Sequence, residues 1–210
     1  MKLYDFALAP NPKRVRMFLA EKGLVIPTVQ VNIRDREQFA DAFLKVNPFS
    51  VVPVLELDDG TRIGESVAIC RYIEEIHPEP PLMGAGALDK ALVEMWQRRV
   101  ELNGFMMVGD AVRNSEPRFE GRGLSGVPGG VPQIPAVVAR GKAAALRLFD
   151  KLDNQLAGNE FVAGPRFTIA DITLFATLWF ARRAELAVPD ACKNLTRWHA
   201  QVAARPSAEA

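Results

Sequence analysis

The chain has 210 residues, 26 basic against 25 acidic side chains, a formal net charge of +1 and only two cysteines. That length allows one large domain or two small ones around an ordinary apolar core, and the balanced charge provides no field for nucleic acid or an anionic membrane. Cys70 and Cys192 form no C-x-x-C pair, so dithiol redox chemistry and a zinc site lack their ligands, no metal is expected, and any thiol chemistry must use a borrowed thiol.

The N-terminal MKLYDFALAP has too short an apolar run for a signal peptide, and no stretch approaches the ~20 apolar residues of a membrane span. A cytoplasmic protein is expected. The first 80 residues alternate KLYDF, PKRVRMFLAEKG, VIPTVQVNI, REQFADAFLK, VVPVLEL, TRI and SVAICRYIEEIH, which predicts β-α-β-α-β-β-α. Asn11 before Pro12 reads as the cap of the first helix and Gly23 as its stop, with Val15, Phe18 and Leu19 as the buried stripe. The Asp58-Asp59-Gly60 triplet supplies hairpin turn residues between the two last strands, so the four-stranded sheet is mixed.

Residues 77–86, HPEPPLMGAG, mark a change of composition, and the predicted division is a first domain over 1–80, a linker over 81–87 and an all-helical domain over 88–210. Leu88, Ala91, Leu92, Met95, Trp96 and Leu102 follow a helical period, as do Ala144, Ala145, Leu148, Phe149, Leu152 and Leu156. The glycines and prolines of residues 115–135 predict a long irregular loop, of the kind that forms lids or binding loops when it is not disordered. Thr168, with Asp171 three residues on, reads as a capping box. A last helix is expected around Leu195 to Ala204.

Two features point to a ligand. Pro53 at a strand entry is explained by a cis Val52–Pro53 bond, which turns the Val52 amide and carbonyl outward to pair with an extended peptide; a trans edge-strand proline is the alternative. Glu65-Ser66 opens a helix whose hydroxyl and free amides suit a carboxylate, while Glu65 can receive an ammonium. Those two groups on one carbon, followed by an extended cysteinyl unit, describe the γ-glutamyl-cysteinyl part of glutathione.

NPFSVVPVLEL, GESVAICRYIEE and FVAGPRFTIADITLF, in this order and spacing, resemble the glutathione transferase family over essentially the whole chain, in its bacterial theta/nu-like cytosolic form. The resemblance implies a thioredoxin-like domain with a mixed four-stranded sheet, a helical second domain, a homodimer, glutathione as co-substrate, and a pocket at the domain seam that is apolar where the electrophile binds. Carried over by position, Val52 and Pro53 hold the cysteinyl backbone and Glu65 and Ser66 the γ-glutamyl end. Gln38 and Lys45 are candidates for the glycyl carboxylate, or else form the solvated face of a short helix. The family usually places a hydroxyl or thiol where this chain has Ala9, in the segment Ala9-Pro10-Asn11. Asn11 can both cap the helix and offer its amide protons to a thiolate. Tyr4 is the outside candidate for the missing hydroxyl, with core packing as its simpler role.

Bringing a thiol from ~8.5 to ~6.5 requires roughly 2.7 kcal/mol. A helix N-terminus contributes ~0.3–1 kcal/mol, up to ~2 when partly buried, and a hydrogen bond to a charged group ~1.5–3. Activation without a hydroxyl is therefore feasible. Phe105, Met106, Arg113 and Phe119 are the candidates for the electrophile pocket. The first expected activity is conjugation of glutathione to a small apolar electrophile. Glutathione-dependent reduction of a disulfide or peroxide is the second, and a non-catalytic binding protein on the same scaffold is the third.

Overall fold

A computed structural model describes residues 1–210. The sheet order is β2-β1-β3-β4, with β1 (Lys2–Asp5) parallel to β2 (Thr28–Gln30) and antiparallel to β3 (Val54–Glu56), which pairs antiparallel with β4 (Arg62–Ile63). Register follows the alternation of the strands: Leu3 opposes Leu55 and both are fully buried, while Tyr4 opposes Val54 across the other face. The predicted hairpin turn closes with Leu57 N donating to Thr61 O (2.8 Å), and Gly60 takes a φ of 86° that suits glycine. Helix α1 (Pro10–Glu21) ends at Gly23, where φ is 67° and Leu24 N donates to Leu19 O (2.9 Å). Helices α2 (Asp41–Leu44) and α3 (Ser66–Ile76) complete the first unit.

Beyond the linker the chain is helical: α4 (Gly86–Val100), α5 (Met106–Ser115), α6 (Pro135–Ala157), α7 (Ile169–Ala181) and α8 (Lys193–Ala203). The π-helical turn Glu101–Phe105 joins α4 to α5. No helix is long and apolar enough to cross a membrane. α7 is buried on nearly every side, which its almost wholly apolar sequence requires. Its N-terminus carries the expected capping box: Asp171 is fully buried and accepts from Thr168 N (2.9 Å), Thr168 Oγ1 (3.1 Å), Val162 N (2.9 Å) and Trp198 Nε1 (2.8 Å). Burial pushes the Asp171 carboxyl up to about 6, against the pull of those four donors.

One core of 39 buried residues runs from the helix-covered face of the sheet, at Leu3, Val15 and Phe18, into the bundle at Val108, Phe149 and Trp198. A second cluster of five, Ala9, Val31, Phe43, Val52 and Val54, lies on the other face. That small core anchors both chain segments that frame the site.

α4 and the π-helical turn after it form over the predicted periodic row, but α4 buries Val93, Gln97 and Val100 most deeply; within that row Trp96 is half-buried against the core, while Leu88 is 74% exposed. One expectation requires correction: Asn11 does not cap α1, since the helix begins one residue earlier at Pro10, with Ala9 at the cap position and no side-chain cap. Two prolines, Pro10 and Pro12, both suit a first turn, and the earlier one prevails.

Candidate functional site

Asn47 shapes the segment that precedes Pro53. Its Oδ1 accepts from Phe49 N (3.0 Å) and its Nδ2 donates to Val51 O (2.8 Å), an arrangement that turns the chain through Ser50 at a φ of 55°. The Val52–Pro53 bond is cis, and neither the N–H nor the C=O of Val52 makes a hydrogen bond within the protein. Free backbone groups on a largely buried residue need a partner from outside the fold.

Facing this edge are two helix starts. At α3, Glu65 holds a φ of 61° and ψ of 120°, a sparsely populated conformation for a side-chain-bearing residue. Ser66 is buried, and its Oγ donates to Asn11 Oδ1 at 3.2 Å. At α1, the same Asn11 oxygen also accepts from Arg14 Nη1 at 3.1 Å. With Oδ1 held by two donors, the amide orientation of Asn11 is fixed, and its Nδ2 keeps both protons without a protein acceptor beside the cleft that the residue lines. Asn11 thus keeps a free amide donor and does not cap α1.

Arg14, which reads from sequence as an ordinary helix arginine, is the organiser of this arrangement. It is 2% exposed and sends Nε to Thr173 Oγ1 (3.2 Å), Nη2 to Glu101 (3.0 Å) and Nη1 to Asn11, with the guanidinium 4.8 Å from the Phe105 ring centroid. α1, α7 and the π-helical turn therefore meet on one planar group, which explains why Asn11 has a single orientation.

The cleft between the two units has a volume of about 790 Å³. Of the residues singled out from sequence, Ala9, Asn11, Gln38, Val52, Phe105, Met106, Arg113 and Phe119 line it. Gln38 is buried, and its Oε1 has no partner. Pro53, Glu65 and Ser66 do not line it; Ser66 is tied to its wall through the bond to Asn11, and Glu65 adjoins Ser66 in the chain. Lys45 is not brought to the cleft; it ends exposed after the short α2, with its carbonyl accepting from Arg62 Nη1. Tyr4 is also elsewhere. Its hydroxyl donates to Glu56 Oε2 (3.2 Å) and its ring packs edge-on against Phe43, because position 4 of β1 points away from α1.

The 115–135 segment forms a 3-10 turn, Pro117–Phe119, and a bridge between Arg122 and Val131, and it closes over the cleft with Phe119, Arg122, Leu124, Ser125 and Gly126. Gly126 packs so closely that an added Cβ would meet Phe49 O at 2.7 Å, and Arg36 Nη2 donates to Pro128 O from the facing unit. Ser125 Oγ accepts from Arg113 Nη2 at 3.2 Å. The loop is thus a wall of the site.

Both halves match family models: residues 3–81 the "Glutathione S-transferase, N-terminal domain" and residues 127–206 the "Glutathione S-transferase, C-terminal domain". Glutathione S-transferase 2 of Saccharomyces cerevisiae is 35% identical over 216 aligned residues, covering 99% of this chain and 87% of that protein. Among solved structures, a glutathione S-transferase domain-containing protein of Marinobacter aquaeolei VT8 superposes with a TM-score of 0.91 at 38% identity, covering 99% of each chain. Gtt2 from Saccharomyces cerevisiae superposes with a TM-score of 0.90 at 34% identity, covering 99% of this chain and 98% of that one. Two family models in the expected order, full-length relatives above 30% identity and the shared fold establish that this chain belongs to the glutathione S-transferase family.

Proposed function

We propose that the protein binds glutathione as its thiolate and conjugates it to small electrophiles held between the two units. Supporting this reading above all is the free amide of Asn11, fixed by Arg14 and Ser66, within the same cleft as the unpaired backbone groups of Val52. In this reading Val52 pairs with the cysteinyl unit, as an added strand would. Glu65 and Ser66 take the γ-glutamyl end, and Gln38 offers its amide to the glycyl end. The thiolate lies before the first turn of α1, where Asn11 Nδ2 and the Asn11 N–H, the one first-turn amide that Pro10 and Pro12 leave free, favour negative charge. Activation and proximity then supply the rate enhancement.

Conjugation of a chloronitrobenzene tests the reading. Reduction of a small disulfide by glutathione without conjugation would assign the reductase chemistry instead, and retention on immobilised glutathione with no turnover would leave a binding protein. Ala9 gives a sharper handle. It caps α1 without a side-chain bond, so in Ala9→Ser the new Oγ can accept from the Asn11 N–H, the one first-turn amide that Pro10 and Pro12 leave, adding about 0.5 kcal/mol of stability through the cap while its hydroxyl hydrogen remains available to the sulfur. A raised melting temperature together with faster conjugation is expected; stabilisation without a rate gain would mean that Asn11 already fills the role.

The same reading takes the protein as a cytoplasmic homodimer. Phe49 and the outward row Leu88 and Leu92 are apolar surface that a second copy would cover. Sedimentation should give twice the chain mass, and a single-chain mass at micromolar concentration would contradict it.

A further inference from the structure

The seam is not uniformly apolar. Five arginines, Arg34, Arg113, Arg118, Arg122 and Arg183, line the cleft against a single carboxylate, Asp110, in a chain whose net charge is only +1. Four of them come from the helical part. Arg113 and Arg118 each sit 4.7 Å from the Phe119 ring centroid and Arg122 sits at 5.8 Å, so three guanidinium groups surround one ring at the cleft wall.

Counter-ions for this cluster are nearly absent. Arg118 pairs with Glu116. Arg113, Arg122 and Arg183 pair with no carboxylate and donate only to neutral oxygens: Arg113 to Leu124 O (3.3 Å) and Ser125 Oγ (3.2 Å), Arg183 to Leu8 O (3.2 Å), and Arg122 to Arg118 O. Burial, with Arg122 and Arg118 beside it, lowers the Arg113 pKa to about 10. Like charges held together in a partly dry site destabilise one another, and a bound anion relieves that repulsion. A guanidinium is also the side chain whose planar fork fits a carboxylate.

We infer that the helical wall of the cleft is an anion subsite, and that the acceptor is a planar electrophile bearing a carboxylate, its ring against Phe105 and Phe119 and its carboxylate among Arg113, Arg122 and Arg183. This rests on the conjugation reading above. With an aryl chloride as acceptor, the glutathione sulfur forms the new carbon–sulfur bond, chloride departs with the bonding pair, and the thiol proton passes to bulk water.

Binding separates this inference from the reading beneath it. S-(4-carboxybenzyl)glutathione and S-benzylglutathione differ only by the carboxylate, and calorimetry at low ionic strength should show the first binding at least about tenfold tighter, in line with a charge-assisted hydrogen bond. The preference should shrink to within about threefold in Arg113→Gln and Arg183→Gln, and should weaken in wild type at high salt. All three arginines also hold loop carbonyls, so Arg122→Gln is measured alongside with the same shrinkage expected, and a thermal melt accompanies each variant. A matching kinetic pair, 4-chloro-3,5-dinitrobenzoate against 1-chloro-2,6-dinitrobenzene, should favour the benzoate about tenfold in kcat/KM after subtraction of the uncatalysed rates. Equal binding of the two glutathione derivatives overturns the anion subsite and leaves glutathione binding intact. Failure of both to bind overturns the glutathione reading and this inference with it, whereas the binding preference without turnover supports the subsite and removes only the transferase chemistry.

Discussion

Asn11→Ala should lower kcat/KM for conjugation near pH 7 by about ten- to a hundredfold and recover most of that loss near pH 9. In the proposed complex the amide donates a hydrogen bond to a charged sulfur, an interaction of about 1.5–3 kcal/mol, and each 1.36 kcal/mol corresponds to one unit of thiol pKa. Removing it raises the bound thiol by about one to two units, so the ionised fraction falls near neutrality but not in alkali. The sign is fixed by the chemistry: stabilising the thiolate lowers the pKa, and its loss raises it. Asn11→Asp should be worse than alanine, because a carboxylate beside the sulfur opposes ionisation. Since Asn11 Oδ1 also accepts from Arg14 and Ser66, each variant needs a melt to show that it folds. A loss that is the same at every pH would assign Asn11 to positioning rather than to activation.

Asp171→Ala should destabilise the fold by about 3–5 kcal/mol. One fully buried carboxylate satisfies Thr168 N, Thr168 Oγ1, Val162 N and Trp198 Nε1. Alanine strands these donors in the interior, where each unmade bond costs about 1–3 kcal/mol and the losses are not fully additive. The urea midpoint should fall accordingly, and the melting temperature by roughly 10 °C for a chain of this size. Thr168→Ala removes only the cap and should cost about 1 kcal/mol. Asparagine at 171 keeps one acceptor oxygen for Val162 and Trp198 but turns an amine toward Thr168, so its effect lies between the two. A change under 1 kcal/mol for the alanine variant would show that α7 does not depend on this junction.

Local rules made much of this architecture legible in the sequence. Turn chemistry at Asp58-Asp59-Gly60 and the Thr168–Asp171 box depend on neighbours only a few residues away, and both stand where expected. What required the third dimension lies where distant segments choose between equivalent local options. α4 has a periodic apolar row, but periodicity cannot say which face the rest of the chain will cover, and α7 takes the side carrying Val93, Gln97 and Val100. At the start of α1 the local pattern permits two caps, and the outcome leaves the Asn11 side chain for Ser66 and Arg14. Arg14 was unreadable for the same reason: its partners Thr173 and Glu101 are 159 and 87 residues away. Arg113, Arg118 and Arg122 lie within a few residues of Phe119, but Arg34 and Arg183 join them at the cleft only when the chain folds.

In the proposed function this site holds glutathione as a thiolate without a hydroxyl at position 9. Ultraviolet titration of the thiolate band of bound glutathione measures that directly. A bound thiol ionising near ~6.5, two units below the free value of ~8.5, is the expected result; a bound thiol still ionising near ~8.5 would contradict the account.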